Sequence, residues 1–123
     1  MMRNSILLAV CLLASLVTFR VQAVKYPGTD VEVRHLLDAM ENSGCTFTRN
    51  GTEYTGREAR EHMQMKCDYT KAHIESAHAF IERIATQSSM TGRPYTIQCG
   101  DKVYPSAQWL SDERQRYRQE QTP

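Results

Sequence analysis

The stretch that decides the fold of this chain is residues 45–55, Cys-Thr-Phe-Thr-Arg-Asn-Gly-Thr-Glu-Tyr-Thr. It contains two short runs of residues that favour β-strands, and Asn50-Gly51 lies between them. Asn-Gly is the preferred pair for a type I′ turn, because both central residues of that turn need positive φ. The sequence therefore predicts a β-hairpin at this place.

The N-terminal residues have the layout of a signal peptide. Arg3 makes the short lead positive, residues 6–19 form a mainly apolar run, and residues 21–23, Val-Gln-Ala, suit cleavage. A transmembrane helix needs about 20 apolar residues, and Arg20 ends this run before that length is reached. We expect cleavage after Ala23 and export from the cytoplasm, with an uncleaved membrane anchor as the alternative.

Removal of residues 1–23 would leave 100 residues, enough for one domain with a single core. We therefore expect one mature domain at residues 24–123, with its core at about residues 30–118 and no stable membrane insertion. Arg3 and Arg20 leave with the signal peptide, so the mature chain has 13 basic and 14 acidic residues. Nucleic-acid binding normally requires an excess of positive charge, and we expect no nucleic-acid partner.

Three of the four cysteines belong to the mature chain: Cys45, Cys67 and Cys99. Exported proteins meet an oxidising compartment, so we expect one disulfide bond. Cys45 begins the hairpin and Cys99 ends the later β-prone run, and adjacent strands would bring these two residues together. Because Cys67 falls in a helical segment, the pattern favours a bond between Cys45 and Cys99 and a free thiol at Cys67.

Helical periodicity precedes the hairpin. Thr29 and Glu32 have the spacing of a capping box, and apolar residues follow at helical intervals as far as Gly44. This pattern predicts a first helix over residues 30–43.

A longer helical pattern follows the hairpin. Thr55 and Glu58 repeat the capping-box spacing, and one apolar face continues to residue 84. A single helix of about 30 residues would be about 45 Å long, longer than a domain of this size is wide. We therefore predict a bend or break, with helices at residues 56–74 and 76–85 and a restart at Ser76.

The C-terminal part of the chain contains one more strand and one more helix. Residues 86–94 lack periodicity and connect to a strand at residues 95–99, which we expect to join the hairpin. Gly100-Asp101 ends that strand, and Ser106 has the position of an N-cap for a last helix. The predicted fold is a helix-rich α+β domain with a small antiparallel sheet, in the order α-β-β-α-(α)-β-α.

Candidate binding residues lie beside the apolar face of the long helical segment. His62, Lys66, Tyr69 and His73 form a strip there, and Arg49 projects from the neighbouring hairpin. Such groups can form a half-buried site with shifted pKa values. Alternatively, they are ordinary surface pairs on a helix, which stabilise it only weakly.

Other chemistry has less support in the sequence. A metal site needs three or four suitably spaced ligands, which the spacing does not provide, and we expect neither a metal nor another cofactor. Ser88 and Ser89 offer hydroxyls in a loop, but neither lies in a Gly-x-Ser-x-Gly motif. A small periplasmic hydrolase that uses Ser88 or Ser89 is therefore an alternative interpretation, and a purely structural envelope protein is another.

Five separated motifs occur in order along the mature chain. They are Cys-Thr-Phe-Thr-Arg-Asn-Gly at 45–51, Glu58-Ala59 with His62 and Lys66, Phe80-Ile81, Ala85-Thr86 with Ser88-Ser89, and Gly-Arg-Pro-Tyr at 92–95. Together they resemble the domain of unknown function 5329 family, small exported proteins of Gram-negative bacteria, over about residues 31–118. Cys45, Cys99 and Trp109-Leu110 also match family positions, whereas Cys67 stands where an aromatic residue is expected.

The resemblance implies a bacterial protein that is exported to the periplasm or envelope, and it supplies no activity. It also implies a group of polar positions that are worth testing as one surface: Arg49, Asn50, His62, Lys66, Ser89 and Tyr95. We predict a non-enzymatic binding or interaction module whose binding residues are Arg49, His62, Lys66, Ser89 and Tyr95. Its partner would be an envelope protein or a small ligand.

Overall fold

The computed structural model describes residues 31–70 and 74–123. Its helices are α1 (Val31–Asn42), α2 (Gly56–Tyr69), α3 (Ala77–Arg83) and α4 (Ser106–Gln121). Its strands are β1 (Thr46–Arg49), β2 (Thr52–Tyr54), β3 (Thr96–Cys99) and β4 (Lys102–Pro105). The predicted α+β fold class is confirmed. The predicted signal peptide, Thr29 and His73 lie outside the described residues.

The sheet is antiparallel, with the strand order β2-β1-β3-β4. The predicted hairpin is confirmed, since Asn50 and Gly51 have φ values of 50° and 79° and join β1 to β2. Strand β3 pairs with the other side of β1, as predicted, and places Ile97 opposite Phe47. Both side chains are buried, so one face of the two central strands contributes to the core.

Strand β4 corrects the sequence prediction, which ended the sheet at Gly100-Asp101. These two residues form the turn of a second hairpin, in which Cys99 pairs with Lys102. The strand that follows is short, lies at the sheet edge and leaves Val103 61% exposed. It also ends at Pro105, a residue that disfavours strand prediction. The sequence therefore offered no buried alternating pattern from which β4 could be recognised.

The predicted disulfide bond between Cys45 and Cys99 is confirmed. It links the residue before β1 to the last residue of β3, on the two central strands of the sheet. Cys67 is a free thiol that is buried in α2. Burial raises the pKa of Cys67 to about 12, which keeps the thiol protonated at neutral pH and makes it a poor nucleophile.

Helix α1 packs against α2. It covers residues 31–42 of the predicted range 30–43, of which residue 30 lies outside the described residues. Its buried side chains recur at helical spacing: Val33, Leu36, Leu37 and Met40. Gly56, the first residue of α2, lies against the backbone at the end of α1. A Cβ atom at Gly56 would lie against the backbone carbonyl oxygen of Met40 and 3.1 Å from that of Glu41. Position 56 has no room for a side chain, and glycine is therefore required there.

The long helical segment is interrupted, as predicted. Helix α2 begins with the expected capping box, in which Thr55 and Glu58 each accept a hydrogen bond from the other's backbone N–H. It ends at Tyr69, short of the predicted residue 74, and the Thr70 hydroxyl donates to the Lys66 carbonyl oxygen there. Such a bond competes with continuation of the helix.

The predicted restart at Ser76 is also confirmed. Its side chain accepts a hydrogen bond from the backbone N–H of Ala79 and caps α3. Helix α3 covers residues 77–83 and is therefore shorter than the predicted range 76–85.

The start of α4 differs from the prediction, because Pro105 and not Ser106 is the N-cap. Ser106 is the first helical residue, and its backbone N–H donates to the carbonyl oxygen of Tyr95. This bond continues the pairing of β4 with the chain before β3, so α4 follows the sheet without a separate capping residue. The Ser106 hydroxyl is buried and has no hydrogen-bond partner among the described residues.

All four helices and the sheet contribute to one hydrophobic core. Its largest fully buried side chains include Phe80, Leu36, Leu37, Met40, Ile84, Ile97 and Leu110. Across residues 31–70 and 74–123, no helix has the length and apolar character needed to cross a membrane.

Candidate functional site

Arg49, the last residue of β1, lies beside neutral groups of β2 and α2. Its Nη1 donates to the imidazole of His62, at 2.9 Å from Nε2, and its Nη2 donates to the Tyr54 hydroxyl at 3.1 Å. The guanidinium also lies 5.2 Å from the centre of the Tyr54 ring, within range of a cation–π interaction. None of the ion pairs within the described residues includes Arg49.

Lys66 of α2 holds the end of α3 and the loop after it. Its ammonium donates three hydrogen bonds, to the carbonyl oxygens of Ile84 at 2.8 Å and Gln87 at 3.2 Å and to the Tyr95 hydroxyl at 3.0 Å. Carbonyl groups at a helix C-terminus lack partners within the helix and favour a cation there. All three N–H groups of Lys66 are thus used within the protein, so Lys66 positions the end of α3 and adds its positive charge to this part of the surface.

His62 lies between these two cations. It is one helical turn from Lys66, accepts a hydrogen bond from Arg49, and contacts the Tyr95 ring edge-on at a centroid distance of 6.3 Å. Burial, followed by the positive charges of Arg49 and Lys66, lowers the pKa of His62 below its usual 6.5. The hydrogen bond from Arg49 also requires a neutral acceptor nitrogen. His62 is therefore a neutral imidazole at pH 7.

Tyr95 closes the cluster from the side of the sheet. It is 3% exposed, and burial raises the pKa of its phenol, which stays protonated at neutral pH. Its backbone N–H donates to the Thr86 carbonyl oxygen, which positions the residue at the start of β3. Arg49, His62, Lys66 and Tyr95 thus form one continuous network of contacts, which we call the cationic cluster.

The cationic cluster makes stability depend on pH through His62. Because the pKa of His62 is lower in the folded protein than in the unfolded chain, acidification protonates the unfolded chain first. The contribution of His62 to stability is full above pH 6.5 and is lost as the pH falls through the folded pKa. We expect the melting temperature to fall between about pH 7 and pH 5, with a smaller fall in His62→Gln.

The control for this pH dependence is His78→Gln. His78 is exposed on α3 and pairs with Glu82, four residues further along the same helix. If the melting temperature of His62→Gln falls with pH as much as those of the wild type and His78→Gln, the neutral, partly buried state assigned to His62 is contradicted.

Asn50 connects the hairpin to the loop over residues 86–94, in addition to its role in the turn. Its Nδ2 donates to Ser88 Oγ at 3.1 Å, and its Oδ1 accepts from the Thr91 hydroxyl at 2.6 Å. Ser88 Oγ also accepts from the backbone N–H groups of Met90 and Thr91, and Ser88 is 5% exposed. These bonds give Ser88 a structural role in the loop.

A groove of about 410 Å³ runs along the outer side of the cationic cluster. It is lined by His62, Met65, Lys66, Tyr69, Thr70 and Ser89. Met65 and Tyr69 are large side chains that are 65% and 92% exposed. Ser89 is exposed and also lines this groove, and the hydrolase interpretation, which uses Ser88 or Ser89, stays a prediction.

A smaller cavity of about 30 Å³ lies on the inner side of the cluster. Arg49, Tyr54, His62, Tyr95 and Ser106 line it together with apolar core residues. Because His62 borders both the cavity and the groove, a substitution of this residue affects packing next to the core as well as the protein surface.

The structure thus brings together four of the predicted binding residues, Arg49, His62, Lys66 and Tyr95, and places Ser89 on the adjoining groove. The sequence analysis did not predict Tyr54 as a neighbour of Arg49, although the two-residue turn of the hairpin indicates it. An Asn-Gly turn pairs Arg49 with Thr52, and alternation then puts Tyr54 on the same face of the sheet as Arg49. Among the described residues, no group of three or more His, Cys, Asp or Glu is placed to hold a metal ion.

These features define a small α+β domain with a disulfide across its sheet and a partly buried cationic cluster. The chain belongs to the family of unknown function DUF5329, whose model matches residues 27–118. It is also 34% identical, over 67 residues, to the uncharacterized protein YfeK of Salmonella typhimurium. That match covers 54% of this chain and 56% of the relative, so the chain spans just over half of the relative's length. No solved structure matches the chain.

The family predicted from the separated motifs is therefore confirmed. Neither the family nor the relative has an assigned activity.

Proposed function

We propose that this protein is a non-enzymatic binding or interaction module of the bacterial periplasm or envelope. Its contact surface consists of Arg49, His62, Lys66, Ser89 and Tyr95. The observation that carries this proposal is that Arg49 and Lys66, both partly buried, contact neutral groups and no carboxylate within the described part of the chain.

Partial burial of a cation without an anion is unfavourable, because neutral hydrogen-bond partners replace only part of the solvation that the charge loses. Arg60, which is also on α2, shows the usual arrangement in this protein. Its Nη1 lies 2.5 Å from Asp38 and 2.6 Å from Glu41, and these carboxylates raise the pKa of Arg60 although burial opposes them. The unpaired charge at Arg49 differs from this arrangement and supports a role in binding.

The proposed compartment is supported by two features of the chain. Disulfide bonds form and persist in oxidising compartments, which include the bacterial periplasm, and Cys45 and Cys99 form such a bond. The N-terminal sequence has the layout of a signal peptide. Cleavage after Ala23 and localisation in the periplasm or envelope therefore form part of the proposal.

The test replaces Arg49 and His62 together with glutamine and leaves Lys66 unchanged. Lys66 is retained because its three hydrogen bonds hold the end of α3, so its loss would confuse binding with stability. Partners are recovered from cell envelopes by crosslinking, and the unfolding free energy is measured by urea denaturation.

We expect the Arg49→Gln/His62→Gln variant to lose most partner recovery per folded molecule while its unfolding free energy changes by about 1 kcal/mol or less. Arg57→Gln is the matched control, because Arg57 is on α2 with 77% of its side chain exposed. If Arg49→Gln/His62→Gln recovers as many partners per folded molecule as the wild type does, the proposal is contradicted. That result would favour a purely structural envelope protein.

A further inference from the structure

Three exposed apolar side chains lie where the C-terminal half of α2 meets the loop over residues 86–94. Met65 and Tyr69 line the groove there together with Ser89, and Met90 follows Ser89 in the loop. Tyr69 and Met90 are 92% and 96% exposed, the highest values among the large apolar side chains of the described residues. Single exposed apolar side chains are common, but a contiguous group indicates an interaction surface. We call Met65, Tyr69 and Met90 the apolar patch.

Met90 lies at the tip of a loop whose backbone is held by hydrogen bonds. The backbone N–H of Gly92 donates to the Ser88 carbonyl oxygen at 2.9 Å, and that of Ser88 donates to the Arg93 carbonyl oxygen at 3.0 Å. The backbone N–H of Met90 donates to Ser88 Oγ. The Met90 side chain is therefore presented from a bonded backbone, so binding there does not first have to order the loop.

Positive charges accompany the apolar patch. Lys66 lines the same groove, Arg93 lies at the base of the Met90 loop, and Arg49 contacts His62 at the groove wall. None of these three cations takes part in an ion pair within the described residues. Lys66 has used its N–H groups and Arg49 borders the inner cavity, so these two act on a partner through charge alone. Such an interaction reaches about 10 Å at an ionic strength of about 0.1 M.

The acidic residues of α2 do not line this groove. Glu58 lines a separate groove at the N-terminal end of the helix, Glu61 pairs with Arg57, and Asp68 accepts a hydrogen bond from Gln64. None of the described residues around the groove of the apolar patch is an aspartate or a glutamate. The lining of this groove is therefore neutral or positive, and it complements a partner that carries negative charge.

We infer that this surface binds the face of a bilayer that contains anionic phospholipids, with Met65, Tyr69 and Met90 entering the interfacial layer. Such a bilayer offers negative phosphate groups above an apolar interior, so it matches the cations and the apolar patch together. Tyrosine suits this layer because its ring is apolar and its hydroxyl can reach water. Tyr69 and Met90 protrude almost completely, and lipid can surround them on all sides. The inference goes beyond the proposed function and does not rest on it, because the apolar patch lies outside the proposed contact surface.

The experiment measures binding of the folded protein to lipid vesicles by flotation. One set of vesicles contains equal parts of phosphatidylcholine and phosphatidylglycerol, and the other contains phosphatidylcholine alone. We expect the anionic vesicles to bind at least about tenfold more tightly, since each cation near an anionic surface contributes about fivefold. Added salt should remove this preference. Wild type and variants share the same N-terminal residues, so any contribution of those residues to lipid binding is common to all of them.

Two variants connect this binding to the named residues. Tyr69→Ser/Met90→Ser is expected to bind the anionic vesicles about tenfold more weakly, because it removes side chains that enter the interfacial layer. Arg93→Gln is expected to lose about fivefold on the anionic vesicles and nothing on phosphatidylcholine. Val103→Ser and Arg57→Gln are the matched controls, an exposed apolar residue of β4 and an exposed arginine of α2, and should bind as the wild type does. All of these side chains are exposed, so urea denaturation should show wild-type stability in each variant.

Equal binding to the two kinds of vesicle would overturn the inference, as would wild-type binding by Tyr69→Ser/Met90→Ser. An absence of binding to the anionic vesicles would overturn it as well. If Tyr69→Ser/Met90→Ser then recovers fewer crosslinked proteins, the apolar patch binds a protein and the lipid inference is wrong. The proposed function is decided separately, by the partner recovery of Arg49→Gln/His62→Gln.

Discussion

Gly56→Ala is expected to destabilise the protein by about 3 kcal/mol or more, which is a large part of the stability of a typical small domain. Within a helix, this substitution ordinarily stabilises by about 1 kcal/mol, because alanine loses less conformational entropy on folding. Here the added Cβ would meet the carbonyl oxygens of Met40 and Glu41 at the end of α1. Backbone atoms of a packed helix cannot move aside as a flexible side chain can. We therefore expect Gly56→Ala to destabilise the protein, whereas the same substitution within a helix usually stabilises it.

Urea denaturation of Gly56→Ala measures this effect, and Gly44→Ala is its control. Gly44 has a φ of 68° but no atom within 4 Å of an added Cβ, so it reports the effect of backbone conformation alone. We expect Gly44→Ala to lose about 1 to 2 kcal/mol, less than Gly56→Ala. A neutral or stabilising Gly56→Ala would show that α1 and α2 do not approach as closely as described.

Removal of the disulfide bond by Cys45→Ala together with Cys99→Ala is expected to lower the unfolding free energy by about 4 kcal/mol. The bond joins residues separated by 54 positions, and a crosslink of this length strongly restricts the unfolded chain. The two sulfurs also hold β1 against β3 at the centre of the sheet. The hairpin and the later strand are expected to separate more easily without this bond.

Dithiothreitol separates the effect of the bond from the effect of the two substitutions. Reduction should destabilise the wild type by about the same amount as the double substitution. It should leave the Cys45→Ala/Cys99→Ala variant unchanged, since the remaining thiol at Cys67 is already free. A loss of less than about 1 kcal/mol in the variant would contradict the stabilising role of this bond.

Most of the fold could be predicted from local patterns in the sequence. The Asn-Gly turn, the Thr55 and Glu58 capping box and the restart at Ser76 each depend on residues close together in the chain, and all three are confirmed. The pairing of Cys45 with Cys99 followed once the strands were placed. These features need no knowledge of distant contacts, and for this reason the sequence was sufficient.

The remaining parts of the fold depend on contacts between distant residues. Strand β4 is held by its pairing with β3, although its own residues are mostly exposed. Ser106 resembles an N-cap in sequence, but the bond of its backbone N–H to Tyr95 places it inside α4. The requirement for Gly56 arises from the backbone of α1, which no local pattern near Gly56 reveals.

In the candidate site, too, features set by residues close together in the chain were predicted, and contacts between distant residues were not. Arg49, His62 and Lys66 were predicted from a shared helix face and a neighbouring hairpin, and Tyr95 from the family resemblance, but the separate roles of these residues were not predicted. The carbonyl groups that bind the ammonium of Lys66 belong to residue 84 at the end of α3 and residue 87 in the loop after it, far along the chain from Lys66. The connection of Asn50 to Ser88 was hidden because the turn alone already accounts for an asparagine.

Arg49 and Lys66 place two positive charges beside a partly buried His62, with no carboxylate partner for either among the described residues. The most direct measurement is the pKa of His62, obtained from the pH dependence of its imidazole NMR signals in the wild type and in Arg49→Gln. We predict a pKa below the usual 6.5 in the wild type and a higher pKa in Arg49→Gln, because one of the two neighbouring charges is removed. A wild-type pKa at or above 6.5 that does not change in Arg49→Gln would contradict the claim.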